Sequence, residues 1–595
     1  MSKNSGPTSA AVAVATGRWF TVFASFLIMS AAGATYMFAS YSKEIKSTLG
    51  YDQQTLNTIS FFKDLGANVG IHAGIIAEFV PTWVVLAVGA AMNLFGYLMI
   101  YLALAGSIPR PRLWHMCLYI CIGANSQSFA NTGALVTSVK NFPQSRGIVL
   151  GLLKGFVGLS GAMFTQIYYA IYGGRGNSRA LVLLIGWLPA AVSLAFIGTV
   201  RVVKTTVSSP YSPARRRRRE FKVFCRFLYA SAALALYLMV VIVVQKKVAF
   251  THPEYGASAA AVLVLLLLPL AIVAKEEISL YREKKKEKHA APPPPPVSVS
   301  IAVEESSSSS SSTALSCTGV LSPPRRGEDY TIFQGLLSVD MLIIFVATIC
   351  GLGGTLTATD NFGQIGESLG YPPGSVATFV SLISIWNYAG RVAAGFASEM
   401  LLSKYKLPRP LLVAAVLALS CAGYLLIAFG VPQSLYAASV VIGFCFGAQT
   451  PMFFAIISEL FGLKYFSTLF NFGALASPIG SYVLNVQVVG RLYDREAVRQ
   501  REANSAAATA AAGKELTCIG VECFKTSFVI IAAVTLFGAA AMMVLVWRTR
   551  DFYRGDIYAK FREEEEEEEK KEVAAEEEKE NHKVEAGELR PSDQG

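Results

Sequence analysis

The chain has 595 residues, 53% of them hydrophobic and only 16% charged. Soluble domains carry about a quarter charged residues, so this composition excludes a soluble enzyme and points to an all-α polytopic membrane protein with its charge confined to loops and tails. The formal net charge of +11 is then read as a topology signal rather than a nucleic-acid footprint, because Lys and Arg next to spans mark the cytosolic side.

Residues 1–17 are small and polar and are predicted to be disordered. The first apolar run begins at Trp19 and is too long for the core of a cleavable secretion signal, so it is read as a span. Six segments long enough to cross the bilayer follow, at 18–40, 56–80, 83–105, 113–139, 147–172 and 180–200. Residues 201–222 form a basic loop containing Arg215 to Arg219, and two further spans lie near 223–245 and 257–274. Residues 275–330 combine a Lys/Glu run, Pro292 to Pro296 and Ser306 to Ser312, a composition that cannot bury a core and reads as a disordered linker. Six more spans are predicted near 336–359, 374–398, 410–430, 433–457, 463–489 and 526–547, before a charged tail from 549 that includes Glu563 to Glu569. This makes about 14 spans, with 12 as the alternative.

The segments rich in Lys and Arg, 201–222, 275–330, 404–409 and 548–562, are separated by even numbers of spans. All of them, with both termini, are therefore expected on the cytosolic side. Loop 491–525 falls outside in this scheme despite its arginines, as long loops obey the rule less strictly. The plasma membrane and an endomembrane such as the vacuole both fit.

The second block of six spans (331–548) repeats the first (18–200). Gly33-Ala34-Thr35 recurs as Gly353-Gly354-Thr355, and Leu49-Gly50-Tyr51 as Leu369-Gly370-Tyr371. Gly74-x-x-x-Glu78 recurs as Gly395-x-x-x-Glu399, Asn131-Thr132 meets Gln449-Thr450, and Gly155 meets Gly473. In a design of two related halves the binding site lies near the bilayer midplane, between them.

The stretch from Arg146 to Ala162 places Gly147, Gly151, Gly155, Gly158 and Gly161 on one helical face, where another helix can approach to backbone contact. Lys154 projects from that same face. A buried ammonium is expensive and faces a cavity or a partner, unless it snorkels to an interface. Lys63 shares a face with Gly66, Gly70 and Gly74, so two lysines suggest an electropositive cavity suited to an anion. Adjacent Asp64 points elsewhere, is not expected to pair with Lys63, and is the candidate for proton coupling. Asn131, Gln449, Thr355 and Tyr36 complete the candidate cavity; such groups either line a cavity or join helices. Arg391 near a span end is expected to pair with a carboxylate and lock a gate, with Glu78 and Glu399 as candidates.

Of nine cysteines, Cys518 and Cys523 lie in the last external loop and would form a disulfide if that loop meets an oxidising compartment. There is no nucleotide-binding G-x-x-x-x-G-K-[ST] loop and no H-E-x-x-H helix. No catalytic residue, metal or cofactor is expected, and the expected partners are the bilayer and a small-molecule substrate.

The run Asn141-Phe-Pro-Gln-Ser-Arg-Gly-Ile-Val-Leu-Gly-Leu-Leu-Lys-Gly-Phe-Val-Gly-Leu-Ser-Gly-Ala162 resembles the signature of the plant nodulin-like group of major-facilitator proteins. Arg18-Trp19, Asp360-Asn361-Phe-Gly-Gln-Ile-Gly-Glu367, Gly390-Arg391-Val392 and Ser458-Glu459-Leu-Phe-Gly462 resemble it too. The resemblance implies the major facilitator fold, two six-helix halves that alternate access. A further likeness to the oxalate/formate and monocarboxylate branches implies a small organic anion. The superfamily motif between spans two and three is degenerate, since Gly74-x-x-x-Glu78 is followed by Phe79-Val-Pro-Thr82 without a basic pair. The rival expectation is a sensor or scaffold that keeps the fold without carrying a solute.

Overall fold

A computed structural model of the chain describes residues 7–51, 53–173, 178–203, 213–248, 250–290, 324–503, 518–559 and 563. Among these residues the regular structure is entirely helical. Lipid offers no hydrogen bonds, so an apolar span must satisfy its own backbone, and a helix does so. Helix α1 (Pro7–Thr16) precedes the first half. α2 (Arg18–Ala32) passes through a tight 3₁₀ turn, Gly33–Met37, into α3 (Phe38–Leu49). α4 (Gln53–Asn68) and α5 (Ile71–Phe79) form the second span. α6 (Thr82–Leu104) is followed by α7 (Leu113–Ala130), which runs through a π-helical segment, Asn131–Val136, into α8 (Thr137–Asn141). α9 (Arg146–Tyr172) and α10 (Ser178–Ala195) complete this half.

The intervening pair is α11 (Pro213–Lys247) and α12 (His252–Ala290). Short α13 (Ile332–Leu337) leads into α14 (Val339–Ser368), α15 (Pro373–Tyr405), α16 (Arg409–Phe429) and α17 (Ser434–Phe461). α18 (Phe466–Ser481) continues through a second π segment, Tyr482–Gly490, into α19 (Arg491–Ala503), and α20 (Glu522–Arg554) ends the bundle. The membrane-length runs thus number six, two and six among the described residues, the larger of the two expected totals. Among the described residues nine helical runs are each long and apolar enough to cross a bilayer.

Three expectations are corrected. Pro7–Thr16, expected to be disordered, is helical and packs on α12 and α2. The Arg215–Arg219 run is not loop but the first turns of α11. The linker's Lys/Glu run continues α12 as far as Ala290. One cause unites the last two: Arg219 pairs with Glu276 and Glu283 across the α11–α12 hairpin, while Glu277 accepts the Trp19 N–H at 2.9 Å. These tertiary bonds extend helices that composition alone would leave frayed. The Pro292–Pro296 and Ser306–Ser312 stretches lie outside the described residues.

The repeat read from the sequence recurs as equivalent packing. Gly33 of α2's turn backs onto the Val157 carbonyl of α9, and its repeat partner Gly353 on α14 backs onto Gly480 of α18. Gly74 on α5 lies against Ser467 and Thr468 at the start of α18, and its partner Gly395 on α15 lies against Gly147 and Gly151 at the start of α9. Each half therefore offers its second span to the fifth span of the other, and these two contacts are the seam. The α11–α12 pair lies on α9 and α2, and α11 also reaches α15.

Candidate functional site at the seam between the halves

The seam is built from glycine. A Cβ placed on Gly151 would stand 2.7 Å from the Arg391 carbonyl oxygen and 2.9 Å from Gly395 Cα, both backbone atoms that cannot turn aside. Gly147 lies against the Arg409 guanidinium, Gly155 against Val392 and Tyr388, and Gly158 near Asn387. Gly161 turns away, its nearest neighbour being Met37 of its own half at 4.0 Å.

Lys154 sits inside this contact, only 7% exposed. Its Nζ donates to Asn131 Oδ1 at 3.0 Å and lies 5.5 and 5.4 Å from the ring centroids of Phe454 and Phe470 in the second half. The ammonium is held by one amide oxygen and two aromatic faces, a cation–π arrangement. Arg391 donates to the Lys154 carbonyl at 2.7 Å, so a second cation stands beside the first. Asn131 opens the π segment of the fourth span, and such wide turns re-aim side chains and recur at functional sites. The next residue, Thr132, accepts a hydrogen bond from Asn471 of the other half at 2.7 Å.

Gln449, the repeat partner of Asn131, is fully buried against Gly351 of α14, and neither atom of its amide has a hydrogen-bond partner among the described residues. A buried unpaired amide is costly, so its burial needs a reason. Thr355 is also fully buried and donates to its own Gly351 carbonyl at 3.0 Å, a bond internal to the helix. Tyr36 lies in the Gly33–Met37 turn, its side chain outside the described part.

At one end of the seam the second half carries a buried ionic cluster. The fully buried Arg409 donates to Glu459 at 2.6 Å and to Glu399 at 2.5 Å, while Tyr553 donates to Glu459 at 2.8 Å and Tyr558 to Glu399 at 3.0 Å. Burial pushes the Tyr558 hydroxyl well above the ordinary tyrosine range, with the Glu399 charge acting in the same direction, so Tyr558 keeps its proton and remains a donor. Across the seam Arg146 donates to the Ser458 carbonyl, and Lys140 Nζ to the Lys464 carbonyl at 3.4 Å. Glu78 lies near the first turn of α18, with its Oε1 buried and without a hydrogen-bond partner among the described residues. Glu399, expected as a partner of Arg391, is held by Arg409, while Arg391 donates to the Lys154 backbone carbonyl.

At the opposite end Lys63 pairs with Asp64 at 2.8 Å, contrary to the expectation that neighbours on a helix point apart. The flexible four-carbon stem of lysine lets the ammonium swing back to the next residue. Lys63 also lies 5.5 Å from the Phe38 ring centroid, so the structure does not bring it to Lys154. Asp360 of α14 is exposed, within electrostatic range of both Lys63 and Asp64. Asn485 donates to it at 3.4 Å and accepts from Asn361 at 2.7 Å. Cys518 and Cys523 are joined as a disulfide at this same end. No cluster of metal-ligating side chains occurs among the described residues.

Sequence reasoning did not single out Arg409, Glu459, Tyr553 and Tyr558. The available signal was Glu399 followed ten residues later by Arg409 across a tight turn; Glu459 entered only through the Ser458-to-Gly462 resemblance.

Comparison with known proteins agrees with this architecture. The model of the Nodulin-like family matches residues 18–274, and that of the NFD4 C-terminal domain matches residues 331–555. The chain is 24% identical over 543 residues to the protein NUCLEAR FUSION DEFECTIVE 4 of Arabidopsis thaliana, covering 90% of this chain and 89% of that one. It is 23% identical over 188 residues to the probable transporter MCH1 of Yarrowia lipolytica, covering 30% and 36%. Similar solved structures include the proton:xylose symporter XylE, with TM-score 0.49, 11% identity and coverage of 91% and 96%, and the E. coli fucose:proton symporter FucP, with 0.45, 12%, 88% and 98%. Residues 18–274 thus belong to the Nodulin-like family and residues 331–555 to the NFD4 C-terminal domain family.

Proposed function

We propose that the chain is a secondary active transporter that carries a small organic anion by alternating access between its two halves. The observation that carries this reading is Lys154: a cation buried at the seam, neighboured by Arg391 and held by an uncharged amide and two rings, with no carboxylate partner among the described residues. A buried positive charge of this kind favours an anionic ligand by simple attraction in a medium of low dielectric. Gln449 adds a buried amide with both its donor and acceptor unused, and Asn131 an amide that a ligand could share with Lys154. The name of the Yarrowia relative, a probable transporter, supports the same class of activity.

In this reading the structure is one state of the cycle. The end carrying Arg146, Arg409 and Glu459 is shut, and it is taken as cytosolic from its arginines. The end carrying Asp360 and the disulfide, where Phe61 and Tyr482 meet across the halves with ring centroids 5.8 Å apart, is taken as the one that opens in the other direction. Asp64, partly exposed and paired with Lys63, is the candidate for proton coupling. Opening the shut end requires parting Arg146 from Ser458 and Gly151 from Gly395, which exposes Lys154 and Gln449 from the other side.

The test is uptake of a panel of small radiolabelled organic anions by proteoliposomes, with and without a pH gradient. Lys154→Gln is expected to abolish uptake of the anion that the wild type accepts, and Lys154→Arg to retain part of it. Equal rates in wild type and Lys154→Gln would remove the lysine from the mechanism, and no flux for any solute would favour a non-transporting role.

A further inference from the structure

Helices α11 and α12 are the part of the molecule that the transport reading leaves without a role. Buried polar groups bind them to the first half. The fully buried Gln166 of α9 exchanges two hydrogen bonds with Gln245 of α11, at 3.1 and 2.9 Å, and accepts a third from Ser258 of α12 at 2.9 Å. Toward the shut end Glu277 of α12 accepts the Trp19 N–H, and Glu220 of α11 pairs with Arg18. Between these ties the Trp19 ring lies on Phe224 and Phe227 of α11, with centroids 5.1 and 5.9 Å apart. Lipid offers no replacement for the lost bonds, so an amide cluster inside a span does not part readily.

On its other side α11 reaches α15 of the second half. Phe221 meets Phe396 with centroids 6.3 Å apart, and Arg217 lies 3.9 Å from Glu399. Deeper in the bundle the Tyr388 hydroxyl bonds Ser231 Oγ at 2.8 Å, both residues being buried. Ser231 spends its own hydrogen on the Leu228 carbonyl at 3.0 Å, so Tyr388 is the donor and Ser231 the acceptor. The ring of the same Tyr388 lies on Gly155 of α9, which places this bond at the seam.

We infer that the α11–α12 pair rides with the first half and latches the second half, through Tyr388 and Ser231, in the state where the Arg146 end is shut. Parting Gly151 from Gly395 moves α15 off α9, while α11 stays with α9 through Gln166. The Tyr388 bond then breaks, so the two extra helices act against opening. Use of the latch in a cycle rests on the alternating-access reading; the attachment and the bond do not.

The first arm of the test spin-labels the full-length protein in nanodiscs at three exposed positions. Tyr229→Cys on α11 is paired with Phe95→Cys on α6 and, separately, with Tyr405→Cys on α15. Both distances are measured with and without Gly151→Val, and with Tyr388→Phe as a second background that leaves the glycine contact intact. The 229–95 distribution is expected to hold, and the 229–405 distribution to gain a longer population. A hairpin that keeps its distance to Tyr405→Cys in both backgrounds, or that shifts against Phe95→Cys instead, would overturn the inference. The second arm labels Lys140→Cys and Lys464→Cys, which flank the shut end. Tyr388→Phe is expected to raise the ratio of long to short distances about fivefold, the net worth of one hydrogen bond. Ser231→Ala strands a buried hydroxyl and should raise it further, and adding Tyr388→Phe to Ser231→Ala should bring it back to the Tyr388→Phe level. Wild-type distributions in all three variants, or two effects that simply add, would overturn the latch. Absent uptake in the proteoliposome assay would count against the transport reading and touch neither arm.

Discussion

Two buried cations at the seam, Lys154 and Arg409, should respond oppositely to removal. Arg409 is fully compensated: two carboxylates, Ser398 and Tyr558 surround it. Replacing it by Met would strand Glu459 and Glu399 in a buried site, and breaking a buried pair in this way costs about 3–5 kcal/mol. The expected result is a clear fall in melting temperature in detergent, with substantial recovery in the triple variant that also carries Glu459→Gln and Glu399→Gln. Lys154 has one amide oxygen and two ring faces. An apolar residue of similar volume removes a desolvated charge without stranding a partner, a change that is neutral or stabilising by about 1–4 kcal/mol in comparable cases. Lys154→Met should therefore melt at or above the wild-type temperature while losing the stabilisation that added substrate anion confers. A destabilised Lys154→Met would mean that the ammonium holds the fold together and is not reserved for a ligand.

At the scale of helices, the contact of α9 with α15 stands or falls on Gly151 and Gly395. Overpacking a close contact costs about 1–3 kcal/mol, and at Gly151 the obstructing atoms are backbone. Gly151→Val should wedge the shut end open, seen as alkylation of a cysteine introduced by Ser458→Cys at least about tenfold faster, since 1.4 kcal/mol is a factor of ten. Gly161→Val, with its nearest neighbour 4.0 Å away, is the control that should leave the rate unchanged. The glycine spacing made this helix face legible from the sequence because period and side-chain size are local properties. The helical pair around Arg219, Glu276 and Glu283 was not legible, because charge-rich composition reads as loop until the partner helix of the hairpin is known. Arg409 was misread for a related cause: a basic residue at a span end fits the positive-inside pattern whether it faces water or two buried glutamates. Lys63 and Asp64 failed on geometry, since helical phase places Cβ atoms and says little about where a long ammonium stem ends.

For the whole molecule, alternating access requires that whatever shuts one end be matched at the other. The shut end has Arg146 on Ser458 and Gly151 on Gly395 across the seam; the other end has Lys63 in one half and Asp360 in the other, opposite charges within electrostatic range while Lys63 pairs with Asp64. Closing that end would bring α4 toward α14 and let Lys63 exchange Asp64 for Asp360, a latch that forms only in the second state. Exposed pairs contribute about 0.2–1 kcal/mol, and closure would move this one toward the upper limit by expelling water, enough to shift the two-state ratio about fivefold. Asp360→Asn should accordingly lower the long-distance population between labels at Lys140→Cys and Lys464→Cys, at the far end of the molecule from the substitution. The swap variant Lys63→Asp with Asp360→Lys should restore it, whereas either half of the swap alone should not. Wild-type distance distributions in both single variants would show that the two charges never meet, and the open end would then need another means of closing.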